Sequence, residues 1–182
     1  PHISTWYVVG SVRCVSETDT NSLSKDFVIE KLKPILEDPS IKKVGQNIKY
    51  DFIIFKKYGI ELNHVEDTML LSYTLDAGNN RHNMDTLSEL HLNHKTISYK
   101  DLVGSGKKQL KFSEVDIDKA TEYAAEDADV TLRLYEILSE RVSDEKLSQI
   151  YEAFEKPMIK ILSKLETYGC LLYTSDAADD IP

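Results

Sequence analysis

Apolar residues recur every three or four positions along most of the chain, which is the spacing of helices that pack on one face. The pattern predicts helices over residues 23–37, 51–58, 67–75, 85–92, 116–142 and 144–168. Ser24 is a suitable N-cap for the first helix, and Gly59 and Gly169 are suited to end the second and the last. Because proline cannot donate the helical hydrogen bond, Pro34 predicts a kink or an early end, and Pro157 predicts a kink.

Short runs typical of strands lie between these helices. Residues 42–46 predict one strand, and residues 3–9 and 62–66 are candidates for two more. Residues 93–113 are predicted to be irregular. A strand between helices, followed by helical hairpins, predicts an α/β fold with a helix-rich carboxyl half. One clear strand is too few for a sheet, so we expect the fold to be truncated at its amino terminus.

The two ends of the chain do not continue the pattern of its middle. Residues 170–180 resemble the translation of a sequencing adapter, and residues 10–18 resemble its reverse strand less clearly. We expect residues 1–22 to be a poorly defined start and residues 170–182 to be a non-native tail, with a disordered acidic segment as the alternative for the tail. Residues 23–143 then form the domain, and residues 144–169 form a helix that leads away from it.

Charge and composition narrow the class of function. The 182 residues favour one domain, and the formal net charge of −9 argues against a protein that binds duplex DNA by counterion release. Enzymes that use clustered carboxylates to bring divalent cations to phosphate are not excluded. Cys14 and Cys170 form no zinc-ligand pattern. No apolar run approaches the roughly 20 residues of a membrane helix, so we expect a cytoplasmic protein without membrane contact.

One aspartate interrupts an apolar stripe on the long predicted helix. At steps of four, three, four and three, the stripe consists of Tyr123, Asp127, Val130, Leu134 and Ile137. A buried carboxylate without a partner is costly, so Asp127 needs one. The Tyr123 hydroxyl lies one turn before it on the same face. The alternative is a structural salt bridge from Asp127 to Arg81 or Arg133.

A second predicted helix repeats this arrangement. Asp51 shares a face with apolar residues at steps of three, four and seven, and Asn47 lies four residues before it, at the end of the strand. The alternatives are a first-turn aspartate favoured by the helix dipole and, for Asn47, a turn residue. Together Asp51 and Asp127 indicate a shared metal site, but their spacing does not by itself bring them together.

Five segments, taken in order, resemble the proofreading 3′→5′ exonuclease domain of the DNA polymerase I family. Residues 44–51, which end in Asn-Ile-Lys-Tyr-Asp, resemble the second exonuclease motif of that family. Residues 123–131 resemble its third motif, Tyr-x-x-x-Asp. Between them, residues 67–69, 81–87 and 94–97 follow the family pattern, and residues 154–169 are similar to the helix that leads into the polymerase domain.

The resemblance implies a ribonuclease H-like 3′-5′ exonuclease fold that hydrolyses DNA from a single-stranded 3′ end and releases nucleoside monophosphates. It implies two divalent ions, Mg²⁺ or Mn²⁺, held by four carboxylates. Asp51 and Asp127 would be catalytic metal ligands, and Tyr123 would orient the attacking water. Four residues would bind the DNA strand: Gln46, Asn47, Tyr50 and Arg81. For Arg81 the alternative is an ordinary surface arginine. The implied partners are the single-stranded 3′ end and the polymerase domain of the same parent chain, in a monomer.

The first motif of the family, Asp-x-Glu, is missing from its expected place. Glu17 and Asp19 stand in the reverse order and too close to Asn47. We therefore expect the metal site to be incomplete and this chain to be inactive, or nearly so, on its own. One alternative is a catalytically degenerate module with a structural role in a polymerase. The other is an unrelated acidic helical interaction domain, which would leave Asp127 unexplained.

Overall fold

The computed structural model describes residues 24–104, 110 and 112–169. Two short strands, β1 (Lys43–Gly45) and β2 (Val65–Asp67), pair in parallel with Val44 opposite Glu66. The helices are α1 (Lys25–Glu37), α2 (Lys49–Lys57), α3 (Thr68–Asp76), α4 (Met84–Leu92), α5 (Tyr99–Val103), α6 (Ile117–Asp144), α7 (Ser148–Ile150) and α8 (Lys156–Thr167). A 3-10 turn (Phe112–Glu114) precedes α6, and a π-helical segment (Tyr151–Glu155) joins α7 to α8.

The first five predicted helices and two of the predicted strands are confirmed within three residues. Ser24 caps α1 by accepting a hydrogen bond from the Phe27 N–H, as predicted. Of the two effects predicted for Pro34, a kink or an early end, the early end does not occur, because α1 continues to Glu37. Residues 93–113, predicted to be irregular, contain the short helix α5, whose N-cap is Ser98. The candidate strand 3–9 lies outside the described residues.

The last predicted helix, 144–168, is not continuous. Asp144 ends α6, and a turn with Lys146 at a positive φ of 60° separates it from α7. Pro157, at which a kink was predicted, lies in the first turn of α8, directly after the π-helical segment. Because proline has no N–H to donate, a change of helix type directly before Pro157 is consistent with the missing donor.

Two groups of buried side chains form the core. Cluster I lies where α1, α2, β2 and α8 meet and contains Leu36, Ile48, Phe55, Ile60, Leu62, Val65 and Ile159. Cluster II lies between α3, α4, α6 and the π-helical segment and contains Leu71, Leu87, Val130, Leu134, Leu138, Val142 and Tyr151. Leu70 packs against both clusters. The predicted stripe of α6 is right up to Leu134, after which Leu138 rather than Ile137 is fully buried.

In the described part of the chain, no helix is long and apolar enough to cross a membrane.

Candidate active site

Two carboxylates from separate helices line one cavity. It measures about 210 Å³, and both Asp51 of α2 and Asp127 of α6 belong to its wall, together with Gln46. The rest of the wall is mostly apolar and comes from both sides of the molecule, with Phe55 from cluster I and Met84 next to cluster II. The structure therefore brings together the two acids that the sequence singled out.

A left-handed turn carries the chain from β1 into α2. Asn47, with φ of 57°, makes this turn, and its N–H donates to the Asp67 carboxylate at 3.0 Å. The Ile48 N–H donates to the same carboxylate at 2.9 Å, and the Met69 N–H does so at 2.9 Å, so Asp67 also caps α3. Burial raises the pKa of Asp67 to about 6, and the backbone donors oppose this rise. The sequence placed Asp67 within a family pattern but did not predict this anchoring role.

Asp51 occupies the first turn of α2, two residues after the helix begins. Burial raises its pKa to about 6, its own backbone N–H lowers it, and the charge of Asp67 adds to the rise. Asp51 is therefore a first-turn aspartate, as the alternative to a metal ligand predicted, and its side chain also lines the cavity.

Asp127 has a buried oxygen, Oδ1, that accepts no hydrogen bond from any described residue. Burial raises its pKa to about 6, a hydrogen bond from Tyr123 lowers it, and the charges of Glu126 and Asp85 raise it further. Within the described chain, Arg133 pairs with Asp129 at 3.3 Å and Arg81 makes no ion pair. The salt bridge considered as an alternative for Asp127 is therefore not formed.

Tyr123 stands between the cavity acid and a small aromatic group. Its ring centroid lies 6.3 Å from those of both Tyr99 and Phe112. Its pKa is raised, first by burial and then by the charge of Asp127 and the hydrogen bond to it. The tyrosine is consequently a neutral donor toward Asp127 at ordinary pH.

The remaining predicted site residues divide into two kinds. The Gln46 side chain lines the cavity, donates to the His82 carbonyl at 2.7 Å and accepts from the Thr68 hydroxyl. By contrast, Asn47, Tyr50 and Arg81 are exposed, and none of them lines the cavity.

Comparison of the sequence with known proteins shows which family the chain belongs to. The profile of the 3′-5′ exonuclease family of A-type DNA polymerases matches residues 12–143. The chain belongs to this exonuclease family. It is 50% identical over 149 residues to DNA polymerase I of Rhizobium leguminosarum and 43% identical over 154 residues to that of Pseudomonas aeruginosa. Each match covers 82% of the chain but only 15% and 17%, respectively, of the relative.

The fold is also that of solved nucleases. Brucella melitensis NrnC superimposes with a TM-score of 0.65 at 23% identity, over 79% of this chain and 66% of that one. The same protein with bound Mg²⁺ superimposes with a TM-score of 0.63. The predicted ribonuclease H-like 3′-5′ exonuclease fold is therefore confirmed.

A hydrogen-bonded loop connects two of the family-like segments to the third motif. Glu126, next to Asp127, accepts from the His94 Nε2 at 2.8 Å and from the Ile97 N–H at 2.7 Å. The Thr96 hydroxyl donates to Asp85 at 2.7 Å. The sequence marked these segments by resemblance alone, and their positioning role could not be predicted because the partners lie far apart in the chain.

The described residues offer an incomplete set of metal ligands for an exonuclease site. Asp51 and Asp127 are hard oxygen donors suited to Mg²⁺ or Mn²⁺, and the unpartnered Oδ1 of Asp127 fits a cation there. However, the described part of the chain has no group of three or more His, Cys, Asp or Glu side chains that could hold a metal. Glu17 and Asp19 lie outside the described residues.

Proposed function

We propose that this chain is the metal-dependent 3′→5′ exonuclease module of a DNA polymerase I, hydrolysing DNA from its 3′ end to nucleoside monophosphates. The observation that supports this proposal most directly is the shared cavity of Asp51 and Asp127, in which one carboxylate oxygen has no protein partner. Such an oxygen is stabilised by a cation, and a divalent cation can activate the water that attacks a phosphodiester.

Each predicted site residue has a role in this proposal. Asp51 and Asp127 hold divalent cations, and the bound metal would supply Lewis acidity and a water of lowered pKa. Tyr123, whose hydroxyl proton is donated to Asp127, would orient that water as an acceptor through the lone pairs of its oxygen. Gln46 faces the strand from the cavity wall, and the exposed residues Asn47, Tyr50 and Arg81 contact the strand farther out.

We propose that activity of this chain alone is weak or absent. Two carboxylates leave most positions of an octahedral Mg²⁺ ion to water, so neither ion of a two-metal site would be held firmly. The missing ligands would be the Asp-x-Glu pair of the first motif, for which Glu17 and Asp19 are poor substitutes.

The carboxyl-terminal helix carries a feature that fits a larger protein. Five apolar side chains at steps of four, three, four and three are exposed along the π-helical segment, α8 and the residue after it: Phe154, Met158, Ile161, Leu165 and Tyr168. We propose that this stripe faces the polymerase domain of the same parent chain and that the assembly is a cytoplasmic monomer.

The deciding experiment is degradation of single-stranded DNA labelled at its 5′ end, with Mg²⁺ or Mn²⁺ and then with EDTA. The variant is Asp127→Ala, and the matched control is Asp129→Ala, an exposed aspartate on the same helix. Shortening that needs metal and is lost only in the first variant supports the function and indicates that the site is complete. Without shortening, an Asp-x-Glu strand segment from an intact relative is grafted onto the chain. Activity restored by the graft supports the proposal, and continued inactivity supports a degenerate structural module.

A further inference from the structure

A second cavity lies between α2 and α8, on a different face of α2 from Asp51. It measures about 420 Å³, within the size range of small-ligand sites. Three lysines line it, with Lys56 from α2 and Lys160 and Lys164 from α8. Nothing in the family resemblance refers to this cavity.

The three cavity lysines have no acidic partner among the described residues. In the described part of the chain, two other lysines of the same helices are paired, Lys49 with Glu166 and Lys156 with both Glu66 and Glu152, whereas Lys57, which lies outside the cavity, is not. The cavity lysines form no ion pair within that part of the chain, and Lys56 only lies 5.9 Å from the centre of the Tyr168 ring. Glu61 is the one acid in the lining. A net positive cavity on a chain of formal charge −9 points to an anionic ligand.

The rest of the lining suits a ligand with an apolar body. Phe52 and the buried Ile60 form an apolar wall. Opposite them, the hydroxyl of the buried Ser163 donates to the Lys160 carbonyl at 3.0 Å, so its lone pairs remain able to accept. An anion attached to a flat ring, as in a nucleotide, matches both halves of the cavity.

We propose that this cavity binds a nucleotide, with its phosphate among Lys56, Lys160 and Lys164 and its base against Phe52. The nucleotide is either a free nucleoside monophosphate or one unit of a single-stranded DNA. The three lysines indicate an anion, and the choice of a nucleotide as that anion rests on the proposed function. The competing explanation is that Lys56 and Lys164, each in the last turn of its helix, only complement the helix dipoles. That explanation predicts no ligand.

The test measures binding by the full chain in EDTA, so that no metal bridges the ligand to the acidic cavity. The probes are thymidine 5′-monophosphate, followed by backbone amide chemical shifts, and a fluorescein-labelled oligothymidylate, followed by fluorescence anisotropy. Because the cavity holds one strand phosphate, we expect oligothymidylate affinity to fall roughly threefold between about 50 and 200 mM salt. The variant is Lys160→Ala/Lys164→Ala. Its control is Lys57→Ala, an exposed lysine at the same end of α2 that does not line the cavity.

Shifts at Gly59 and Glu61 with the monophosphate, lost in the double variant and kept in the control, support a free nucleotide. Lysine-dependent binding of the oligothymidylate alone supports a strand site. Absence of binding by both probes, or equal losses in the double variant and the control, overturns the proposal. Asp127→Asn separates the two sites, since it changes the cavity of Asp51 and Asp127 and should leave this binding intact.

Discussion

At the scale of single residues, the cavity lined by Asp51 and Asp127 holds carboxylates whose charged forms are disfavoured by burial. Asp51, Asp67 and Asp127 are each held where burial raises the carboxyl pKa to about 6. Asp67 is compensated by backbone N–H donors, whereas Asp127 has an oxygen with no donor among the described residues. A side chain kept against its own solvation energy is typical of a functional site.

Replacing Asp127 by asparagine is therefore expected to stabilise the fold in EDTA at neutral pH. A folded-state pKa raised from 3.8 to about 6 means that the folded protein binds more protons over that interval, so stability falls as pH rises through it. Two pKa units correspond to about 3 kcal/mol, and we expect about 1 kcal/mol because part of the side chain is open to water. Urea denaturation at several pH values measures this. A variant less stable than the parent chain above pH 6 would contradict the expected burial penalty.

Glu126 is expected to stabilise the loop beside the third motif. Glu126→Ala leaves the Ile97 N–H and the His94 ring without their acceptor, which should lower the free energy of unfolding by about 1–3 kcal/mol. Hydrogen exchange at the Ile97 amide should accelerate with it. Glu122→Ala, an exposed change one turn earlier on α6, is the control. Unchanged exchange at Ile97 would mean that the loop is held by other contacts.

The inward direction of Asp51 and Asp127 could be predicted because helical spacing fixes which residues share a face. Their meeting in one cavity could not, since it depends on the parallel pairing of β1 with β2 and on how α6 packs across them. The anchoring role of Asp67 could not be predicted either, because its carboxylate accepts a hydrogen bond from the N–H of Asn47, 20 residues earlier in the chain.

At the scale of elements, local signals predicted the helices and long-range contacts decided their interruptions. Ser24 and Gly59 mark helix ends through their own conformational preferences. The π-helical segment has no such signal, because it places Tyr151 against β2, 84 residues away along the chain. There the hydroxyl donates to Glu66 at 2.9 Å and accepts the Asp67 N–H at 3.1 Å.

Tyr151→Phe is expected to destabilise this junction without changing its shape. The variant leaves the buried Asp67 N–H without an acceptor and removes one donor from Glu66, so we expect a loss of about 1–3 kcal/mol in the free energy of unfolding. Thermal or urea denaturation measures it. Tyr168→Phe, which removes a hydroxyl from an exposed ring, should have no effect. Equal stabilities of the two variants would show that the Tyr151 hydroxyl is dispensable.

At the scale of the whole molecule, the proposed active site depends on two apolar clusters staying together. Asp51 belongs to α2, whose Phe55 lies in cluster I, and Asp127 belongs to α6, whose Leu134 lies in cluster II. The wall of the cavity between the acids contains residues of cluster I and also Met84, which packs against cluster II. Leu70 touches both, and Tyr151 connects cluster II to β2. The distance between the acids is thus a property of the whole fold, which explains why no single helix pattern could specify it.

If the clusters form one cooperative unit, a cavity made in either one should destabilise both. We expect Leu62→Ala in cluster I and Leu134→Ala in cluster II each to lower the free energy of unfolding by about 2–5 kcal/mol, because both leucines are almost fully buried. Urea unfolding, followed by far-UV circular dichroism and by amide hydrogen exchange, should give one transition. The slope of the unfolding free energy against urea concentration should be unchanged. Leu90→Ala, on the exposed face of α4, should leave the midpoint in place. Two separate transitions in either buried variant would show that the halves unfold independently, and the spacing of Asp51 and Asp127 would then need a partner outside these residues to hold it.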